Sequence, residues 1–450
     1  MVVFLLVLVV VLALLGGVHW YVWRRLVRDV TVPGGLPRRL GTAAVVVLPL
    51  LSVAALASAR AGVPFRLQQV IAWPGQMWLA VLLYLVLALV VGEAVRPLLR
   101  ARLARRAPAA AAPGPEPVPV AAAVAEPVAE TAPAAVAEPV TETAPAPAPT
   151  APAGPATPVG PVAPAGPDDP TGPADPSRRL FVSRVVGGTA AAVALGTVGY
   201  GTYGVLRGPR VKRVTVPLAK IPRAAHGYRI AVVSDIHLGP ILGRAHTQRI
   251  VDTINSTQPD LIAVVGDLVD GTVENLGPAA EPLARLRARH GSFFVTGNHE
   301  YFSGADAWVD HVRELGLRPL RNERLEIAAG FDLAGVDDVA GESEGRGPDF
   351  ARALGDRDRA RAAVLLAHQP IVVHDAVRHG VDLQLSGHTH GGQLWPGSLL
   401  AELANPTVAG LERYGDTQLY VSRGAGAWGP PVRVGAPSDI TVVELASKQA

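Results

Sequence analysis

Three nearly uninterrupted apolar stretches lie in the first hundred residues, at positions 2–22, 42–59 and 77–95. Each approaches the roughly 20 residues that an α-helix needs to cross a bilayer. In lipid, a helix satisfies its backbone hydrogen bonds within its own segment, which strongly limits what such stretches can form. The first stretch ends in Trp20 and Tyr21, which are residue types that favour the membrane interface. The sequence therefore predicts a transmembrane region of three spans over residues 1–106.

Buried helices of a soluble core are the alternative, and the length and aromatic ends of the stretches disfavour it. A cleaved signal peptide is also disfavoured, because the first stretch lacks a basic amino-terminal region and a small-residue cleavage site. The orientation follows from arginines that concentrate between the first two spans and after the third. By the positive-inside rule, these segments lie inside and the N-terminus lies outside. The arginines are Arg24, Arg25, Arg28, Arg38, Arg39, Arg96, Arg100, Arg102, Arg105 and Arg106.

The composition changes over residues 107–176, which hold 20 of the 41 prolines and no aromatic residue. Alanine, valine, glutamate and threonine supply most of the rest. Such a segment cannot bury a core, so it is predicted to be a disordered linker.

Residues 177–210 begin with Ser177-Arg178-Arg179-Leu180-Phe181, followed by a weakly apolar run at 185–206. This pattern resembles a twin-arginine export signal. An ordinary span with a basic flank is the alternative. Both interpretations predict a fourth transmembrane segment and a C-terminal half on the extracytoplasmic side. Four basic residues beyond the run count against that orientation: Arg207, Arg210, Lys212 and Arg213.

Charge and cysteine content exclude several classes of partner and site. The net charge is +3, and no basic patch is interleaved with aromatic residues, so no nucleic-acid partner is expected. The chain has no cysteine, which excludes disulfides and thiolate metal sites. The preference for arginine over lysine is typical of a GC-rich bacterial genome.

The segment 211–450 has the pattern of an α/β domain. Five short apolar runs, at 229–233, 261–265, 292–295, 363–367 and 381–385, predict buried strands. Helices are predicted between several of them, as at 247–257 and 280–289.

Each of these runs ends in polar residues that can bind a metal: Asp235 and His237; Asp267 and Asp270; Asn298 and His299; His368; His388 and His390. Ligands at the carboxyl ends of strands are expected to converge at one edge of a sheet. Oxygen and imidazole donors suit Mn, Fe, Zn or similar divalent ions. A shared carboxylate can bridge two cations about 3.5–4 Å apart.

These motifs are Asp-x-His, Gly-Asp-x-x-Asp, Gly-Asn-His-Glu, a lone His and Gly-His-x-His. In this order they resemble the calcineurin-like binuclear metallophosphoesterases over about residues 225–445. The resemblance implies an α/β fold with a β-sandwich flanked by helices. It implies that Asp267 bridges two divalent metal ions, that His299 contacts substrate and stabilises or protonates the leaving oxygen, and that Asp270 orients a ligand. The implied ligands of one ion are Asp235, His237 and His390, and those of the other are Asn298, His368 and His388.

The implied activity is hydrolysis of phosphodiester or pyrophosphate bonds by a hydroxide that two metals activate. Membrane attachment favours a cell-envelope or lipid-linked substrate. A nucleotide or cyclic-nucleotide phosphodiesterase is the alternative. A non-enzymatic membrane scaffold is disfavoured by the complete ligand set.

Several residues outside the motifs receive structural predictions. Arg423 and Arg433 are interpreted as solvated loop arginines in preference to phosphate ligands, and Trp395 as lining a substrate or lipid-facing cleft or else packing. Six histidines are predicted to serve surface or core packing: His226, His246, His290, His311, His374 and His379.

Overall fold

The computed structural model describes residues 2–105 and 176–448. The predicted linker at 107–176 lies outside the described residues except for Pro176. Residues 1–98 and 180–450 form one compact unit.

Four long helices cover the predicted spans. They are α1 (Val2–Trp23), which a π-helical turn at Arg24–Arg28 extends, α2 (Leu36–Ala57), α3 (Phe65–Arg105) and α4 (Pro176–Leu206). By length and composition, all four could cross a membrane. The 41 residues of α3 are about 60 Å long, roughly twice the hydrocarbon core. This helix exceeds its predicted span because the flanking leucine, alanine, glutamine and arginine residues are good helix formers.

Within residues 176–448, twelve strands form two six-stranded sheets. They are β1 (Arg210–Leu218), β2 (Tyr228–Val233), β3 (Leu261–Val265), β4 (Ser292–Val295), β5 (Arg318–Pro319), β6 (Glu323–Ile327), β7 (Phe331–Gly335), β8 (Ala362–Leu366), β9 (Leu383–Ser386), β10 (Gly410–Tyr414), β11 (Thr417–Val421) and β12 (Asp439–Ser447). The strand order is β1-β12-β2-β3-β4-β5 in the first sheet and β10-β11-β9-β8-β7-β6 in the second.

In the same described part of the chain, seven further α-helices accompany the sheets. They are α5 (Arg244–Ser256), α6 (Val273–Ala280), α7 (Asn298–Ser303), α8 (Ala305–Glu314), α9 (Phe350–Leu354), α10 (Val373–Arg378) and α11 (Gly397–Ala404).

The two sheets pack face to face through alternate residues of their strands. Ile230 and Val232 of β2 share one core with Val364 and Leu366 of β8. The intervening residues of the first sheet pack on α5, α6 and α8, and those of the second pack on α9 and α10. Alternation of this kind produces a sandwich with a helical layer on each side. The predicted α/β sandwich is confirmed.

The prediction of a helix at residues 280–289 is wrong. The α-helix in this region is α6, which ends at Ala280, and a 3₁₀ helix follows over Glu281–Arg285. Pro282 has no N–H to donate to the carbonyl oxygen of Pro278. That oxygen instead accepts a hydrogen bond of 2.8 Å from Arg244 Nη1.

The long helices pack directly on the second half of the chain. Val432 is buried in one cluster with Tyr84 of α3 and Val198 of α4. The Tyr84 hydroxyl donates a hydrogen bond of 3.0 Å to the carbonyl oxygen of Trp395. Gly201 of α4 lies so close to Val432 and Arg433 that a Cβ atom there would meet both.

Candidate metal centre

The seven predicted ligands come together, but from two sheets and not from one sheet edge as the sequence predicted. Asp235, His237, Asp267 and Asn298 follow β2, β3 and β4 of the first sheet. His368, His388 and His390 follow β8 and β9 of the second. The prediction of one sheet failed because strand pairing depends on contacts that are distant in sequence. The carboxyl ends of strands from both sheets meet at the same end of the sandwich.

Five of these seven residues have left-handed backbone conformations. Their φ angles are 53° at Asp235, 48° at His237, 52° at Asp267, 73° at His388 and 53° at His390. This conformation is uncommon for residues other than glycine, and strain of this kind concentrates at functional sites. Backbone hydrogen bonds of 3.1 Å hold it here, from Asp235 N to Gly266 O and from His237 N to Asp267 O.

Two glycines allow the loops to approach one another. A Cβ atom at Gly387 would collide with Ser234 Oγ and Asp235 Oδ2. A Cβ atom at Gly297 would collide with Asp267. Both positions therefore require glycine, because a side chain would separate the ligand-bearing loops.

One cluster consists of Asp235, His237 and His390, all of them buried. The Nε2 atoms of the two imidazoles lie 2.9 Å apart. His390 Nε2 is also 3.4 Å from Asp235 Oδ1. Two ring nitrogens and a carboxylate that face one point fit a divalent cation of the Mn, Fe or Zn type.

A second cluster contains Asp267, His368 and His388, with Asn298 beside it. His368 Nε2 lies 3.1 Å from Asp267 Oδ2, and His388 Nδ1 lies 3.0 Å from Asn298 Oδ1. The other ring nitrogen of His368, Nδ1, is 2.9 Å from the carbonyl oxygen of Val265. A proton on Nδ1 leaves the lone pair of Nε2 directed into the cluster, as a metal ligand requires.

Asp267 adjoins both clusters. Its Oδ2 atom is 3.1 Å from His368 Nε2 and 3.7 Å from His237 Nε2. A carboxylate in this position can contact cations in either cluster or in both.

The sequence matches known proteins over the same half of the chain. The profile of the calcineurin-like phosphoesterase family matches residues 228–392. A metallophosphoesterase of Helicobacter pylori is 38% identical over 56% of this chain and 69% of its own length. A metallophosphoesterase of Aquifex aeolicus is 35% identical over 53% of this chain and 92% of its own length.

The chain belongs to the calcineurin-like metallophosphoesterase family. A transmembrane protein with a metallophosphoesterase domain from Danio rerio is 39% identical over 56% of this chain, and the match covers 60% of that protein. Among solved structures, a phosphopantetheinyl hydrolase of Mycobacterium tuberculosis aligns with 44% of this chain and 89% of its own, at 13% identity and a TM-score of 0.28.

Asp270 and His299 form the rim of this metallophosphoesterase site. Asp270 Oδ1 lies 2.8 Å from His237 Nδ1 and 2.7 Å from His299 Nδ1. The contact with His237 agrees with the prediction that Asp270 orients a ligand. The His299 ring is partly exposed and makes edge contacts with Phe302 and Trp428. Its Nε2 atom is 4.0 Å from Asp267 Oδ2, so it faces the space beside the clusters.

Buried carboxylates dominate the electrostatics of the site. Burial alone would lower the pKa of His237, but nearby carboxylates, led by that of Asp270, raise the pKa to about 9. Burial opposes ionisation of Asp267, yet the imidazoles of His368 and His237 hold its pKa well below the usual range. Positive charge is therefore favoured beside Asp267 and Asp270, where a proton or a metal cation can supply it, whereas burial lowers the pKa of His388 to about 4.

Glu300 has a structural part in the site that the sequence analysis did not assign. Its carboxylate accepts backbone hydrogen bonds of 2.6 Å from Gly297 N, 2.7 Å from Leu268 N and 3.0 Å from Asp267 N. It thereby holds the loop after β3 against the start of α7. The position could have been found in the sequence, because a glutamate three residues after a helix N-cap is typical of a capping box.

The interpretation of Arg433 as a solvated arginine is wrong. Its side chain is buried, and Nη1 donates a hydrogen bond of 3.1 Å to the carbonyl oxygen of His390. Nη2 lies 3.0 Å from His390 Nδ1. Burial lowers the pKa of Arg433 to about 10. Arg433 thus fixes the His390 ring from behind, and no motif around it in the sequence indicates that role.

Proposed function

We propose that this chain is a membrane-spanning, metal-dependent phosphoesterase that hydrolyses phosphodiester or pyrophosphate bonds in a cell-envelope or lipid-linked substrate. The observation that carries the proposal is the position of Asp267, whose carboxylate adjoins two separate clusters of metal-binding side chains. Family membership supports the reaction class. Two cations are proposed because each cluster has its own imidazole ligands.

The proposed ligands follow from the two clusters. Asp267 would contribute its carboxylate to both ions. Asp235, His237 and His390 would hold one ion, and Asn298, His368 and His388 would hold the other. When bound, a pair of divalent cations supplies Lewis-acid activation of a water molecule and offsets negative charge on the phosphoryl oxygens.

His299 is the proposed catalytic residue of the chain itself. The hydrogen bond from its Nδ1 atom to Asp270 fixes the ring, and Nε2 then faces the place where a phosphoryl group would lie. From there an imidazolium can donate a hydrogen bond to a phosphoryl oxygen or transfer a proton to the leaving oxygen.

The proposed topology has four spans, with the N-terminus and the metallophosphoesterase domain on the extracytoplasmic side. The arginine-rich segments between α1 and α2 and after α3 support it through the positive-inside rule. The Ser-Arg-Arg-Leu-Phe sequence at the start of α4 supports export by the twin-arginine route.

A substrate screen with the full-length protein in detergent tests the proposed reaction. The protein is reconstituted with Mn, Fe or Zn, its metal content is measured, and hydrolysis of bis(p-nitrophenyl) phosphate is followed. Lipid-linked pyrophosphates, phospholipid diesters, monoesters, sugar-nucleotide pyrophosphates and cyclic nucleotides are then compared.

We expect bound metal close to two ions per chain and the highest kcat/KM on a lipid-linked diester or pyrophosphate. A preference for nucleotides would support the alternative phosphodiesterase. Bound metal without hydrolysis of any substrate would contradict an enzymatic role.

A further inference from the structure

Helix α11, which begins four residues after Gln393, presents leucines to its surroundings. Leu399, Leu400 and Leu403 are 58%, 71% and 85% exposed, and no residue of the helix is buried. With 3.6 residues per turn, these three positions fall within an arc of about 100° around the helix axis, which is the width of one apolar face. Glu402 is exposed as well, so the helix has a polar flank beside its leucine face. Together with Trp395, which is 55% exposed, these leucines form a surface that we call the α11 apolar face.

The α11 apolar face is continuous with the membrane helices. Leu394 and Val434 pack against the cluster that contains residues of α3 and α4, and the Trp395 carbonyl accepts the hydrogen bond from Tyr84. Val198, which packs in the same cluster as Val432, precedes the end of α4 at Leu206 by eight residues, about 12 Å along the helix. Leu394, which precedes α11, and its neighbours Val432 and Val434 therefore lie beside the apolar part of α4 and not beyond the end of that helix.

The segment that precedes α11 is also connected to the rim of the metal centre. Gln393 donates a hydrogen bond of 2.8 Å to the carbonyl oxygen of Trp428 and accepts one of 3.0 Å from its backbone N–H. The Trp428 ring lies 5.9 Å from the ring of His299, and 57% of Trp428 is exposed. Phe302 also makes an edge contact with the His299 ring and is 69% exposed. Two exposed aromatic side chains thus lie against His299, and Gln393 joins one of them, Trp428, to the segment that leads into α11.

We propose that the bilayer covers the α11 apolar face, and that the site takes amphiphilic phosphoesters whose apolar chains remain in the membrane while the phosphoryl group reaches His299. An exposed apolar patch of this kind indicates a membrane or protein contact. Its continuity with α3 and α4 selects lipid, because lipid contacts the outer surfaces of those helices. The substrate part of this inference rests on the proposed phosphoesterase function, whereas the lipid contact of α11 does not.

The lipid contact can be measured with a single nitroxide label, because the chain has no cysteine. Full-length protein carrying Leu400→Cys is labelled and reconstituted in phosphatidylcholine nanodiscs. Val377→Cys on α10 is the matched control, since Val377 is an aliphatic residue of α10 that is 38% exposed.

We expect the label at position 400 to be more accessible to oxygen than to a water-soluble nickel chelate, with the reverse order at position 377. Higher accessibility of position 400 to the nickel chelate would overturn the proposal. Low accessibility to both reagents would also overturn it, because a second copy or another protein would then cover the face.

The substrate part is tested with the triple variant Leu399→Ser, Leu400→Ser, Leu403→Ser. Its rate on a pyrophosphate-linked isoprenoid lipid in phosphatidylcholine vesicles is divided by its rate on soluble bis(p-nitrophenyl) phosphate. We expect this ratio to fall about tenfold relative to the wild type, and Val377→Ser to leave it unchanged.

An unchanged ratio would overturn the substrate inference. If the wild type hydrolyses neither compound, the proposed function fails, and the nitroxide measurement still decides whether α11 contacts lipid.

Discussion

At the scale of single residues, the site depends on side chains whose backbone conformations are individually unfavourable. Asp235, Asp267 and His390 all have positive φ angles near 50°. Each such residue costs on the order of 1 kcal/mol relative to a right-handed conformation. Hydrogen bonds between the loops offset that cost in the folded chain, and they direct the side chains toward common points.

Removing the shared carboxylate should affect metal and activity together. We expect Asp267→Ala to lose bound metal and nearly all hydrolysis of bis(p-nitrophenyl) phosphate, because both clusters lose a ligand oxygen. His299→Ala should retain the metal and lower kcat by about 10²–10⁴-fold. Metal analysis by mass spectrometry beside steady-state kinetics distinguishes the two variants.

The exposed Asp252 of α5 supplies the control Asp252→Ala, which should match the wild type. Full activity of a purified Asp267→Ala protein would contradict the proposed centre.

His246 gives the folded chain a specific sensitivity to acid. It packs in the interior, in agreement with the prediction for this histidine, and burial together with Arg249 lowers its pKa from 6.5 to about 3. Between these two values the unfolded chain binds a proton that the folded chain excludes. The titration of His246 therefore costs the folded chain no stability above pH 6.5 and destabilises it as the pH falls toward 3, by an amount on the order of 5 kcal/mol.

The variant His246→Leu should thus show a smaller decrease in thermal unfolding midpoint between pH 6.5 and pH 4.5 than the wild type. The exposed His374 provides the control, and His374→Leu should retain the dependence of the wild type. Parallel pH profiles for His246→Leu and the wild type would show that His246 does not contribute.

At the scale of elements, the strands that the sequence predicts are those formed by a short run of apolar residues. The runs that became β3 and β4 are buried along their whole length, and so is that of β2 except at Arg229, so a nearly continuous apolar pattern identified them. Strand β10 is an exposed edge strand of sequence Gly-Leu-Glu-Arg-Tyr, and no such pattern predicts it. The sequence also does not show which strands belong to which sheet, because β12 pairs with β1 and β2, which precede it by about 200 residues.

The residues of the candidate metal centre could be picked out of the sequence for a related reason. Their residues occur in short groups directly after the strands, as in Gly387 to His390. Arg433 has no such context and reaches His390 only through the folded loop before β12. The contribution of Arg433 depends on tertiary contacts, which local sequence does not encode.

The loop that Glu300 organises should control metal affinity without supplying a ligand. In Glu300→Gln, an amide nitrogen replaces one of the two carboxylate oxygens, and this nitrogen cannot accept a hydrogen bond. The side chain then loses either the hydrogen bonds from Gly297 N and Asp267 N or the hydrogen bond from Leu268 N. We expect metal affinity to fall about 10–100-fold, with kcat largely recovered at saturating metal. Titration of the metal-free protein measures this effect.

Glu274→Gln on the exposed surface of α6 is the matched control and should bind metal as the wild type does. Unchanged affinity in Glu300→Gln would show that the backbone contacts of Glu300 are dispensable.

At the scale of the whole molecule, the route of export can be tested at the start of α4. Lysine keeps the charge of Arg178 and Arg179 but not the planar guanidinium group that a twin-arginine signal presents. We expect the paired substitution Arg178→Lys, Arg179→Lys to abolish labelling of the metallophosphoesterase domain by a reagent that cannot cross the membrane. Arg184→Lys, also in α4, should label normally. Normal labelling of the paired variant would contradict the prediction of a twin-arginine signal.

The connection between α4 and the first sheet has a kinetic consequence. Helix α4 ends at Leu206 and β1 begins at Arg210, so only residues 207–209 join them, whereas the proline-rich segment lies between α3 and α4. Three residues span at most about 10 Å. An enzyme held at that distance would search for the proposed lipid-linked substrate by lateral diffusion in two dimensions. Its turnover should follow the mole fraction of substrate among the surrounding lipids, and diluting the vesicles in buffer should leave the rate per enzyme unchanged.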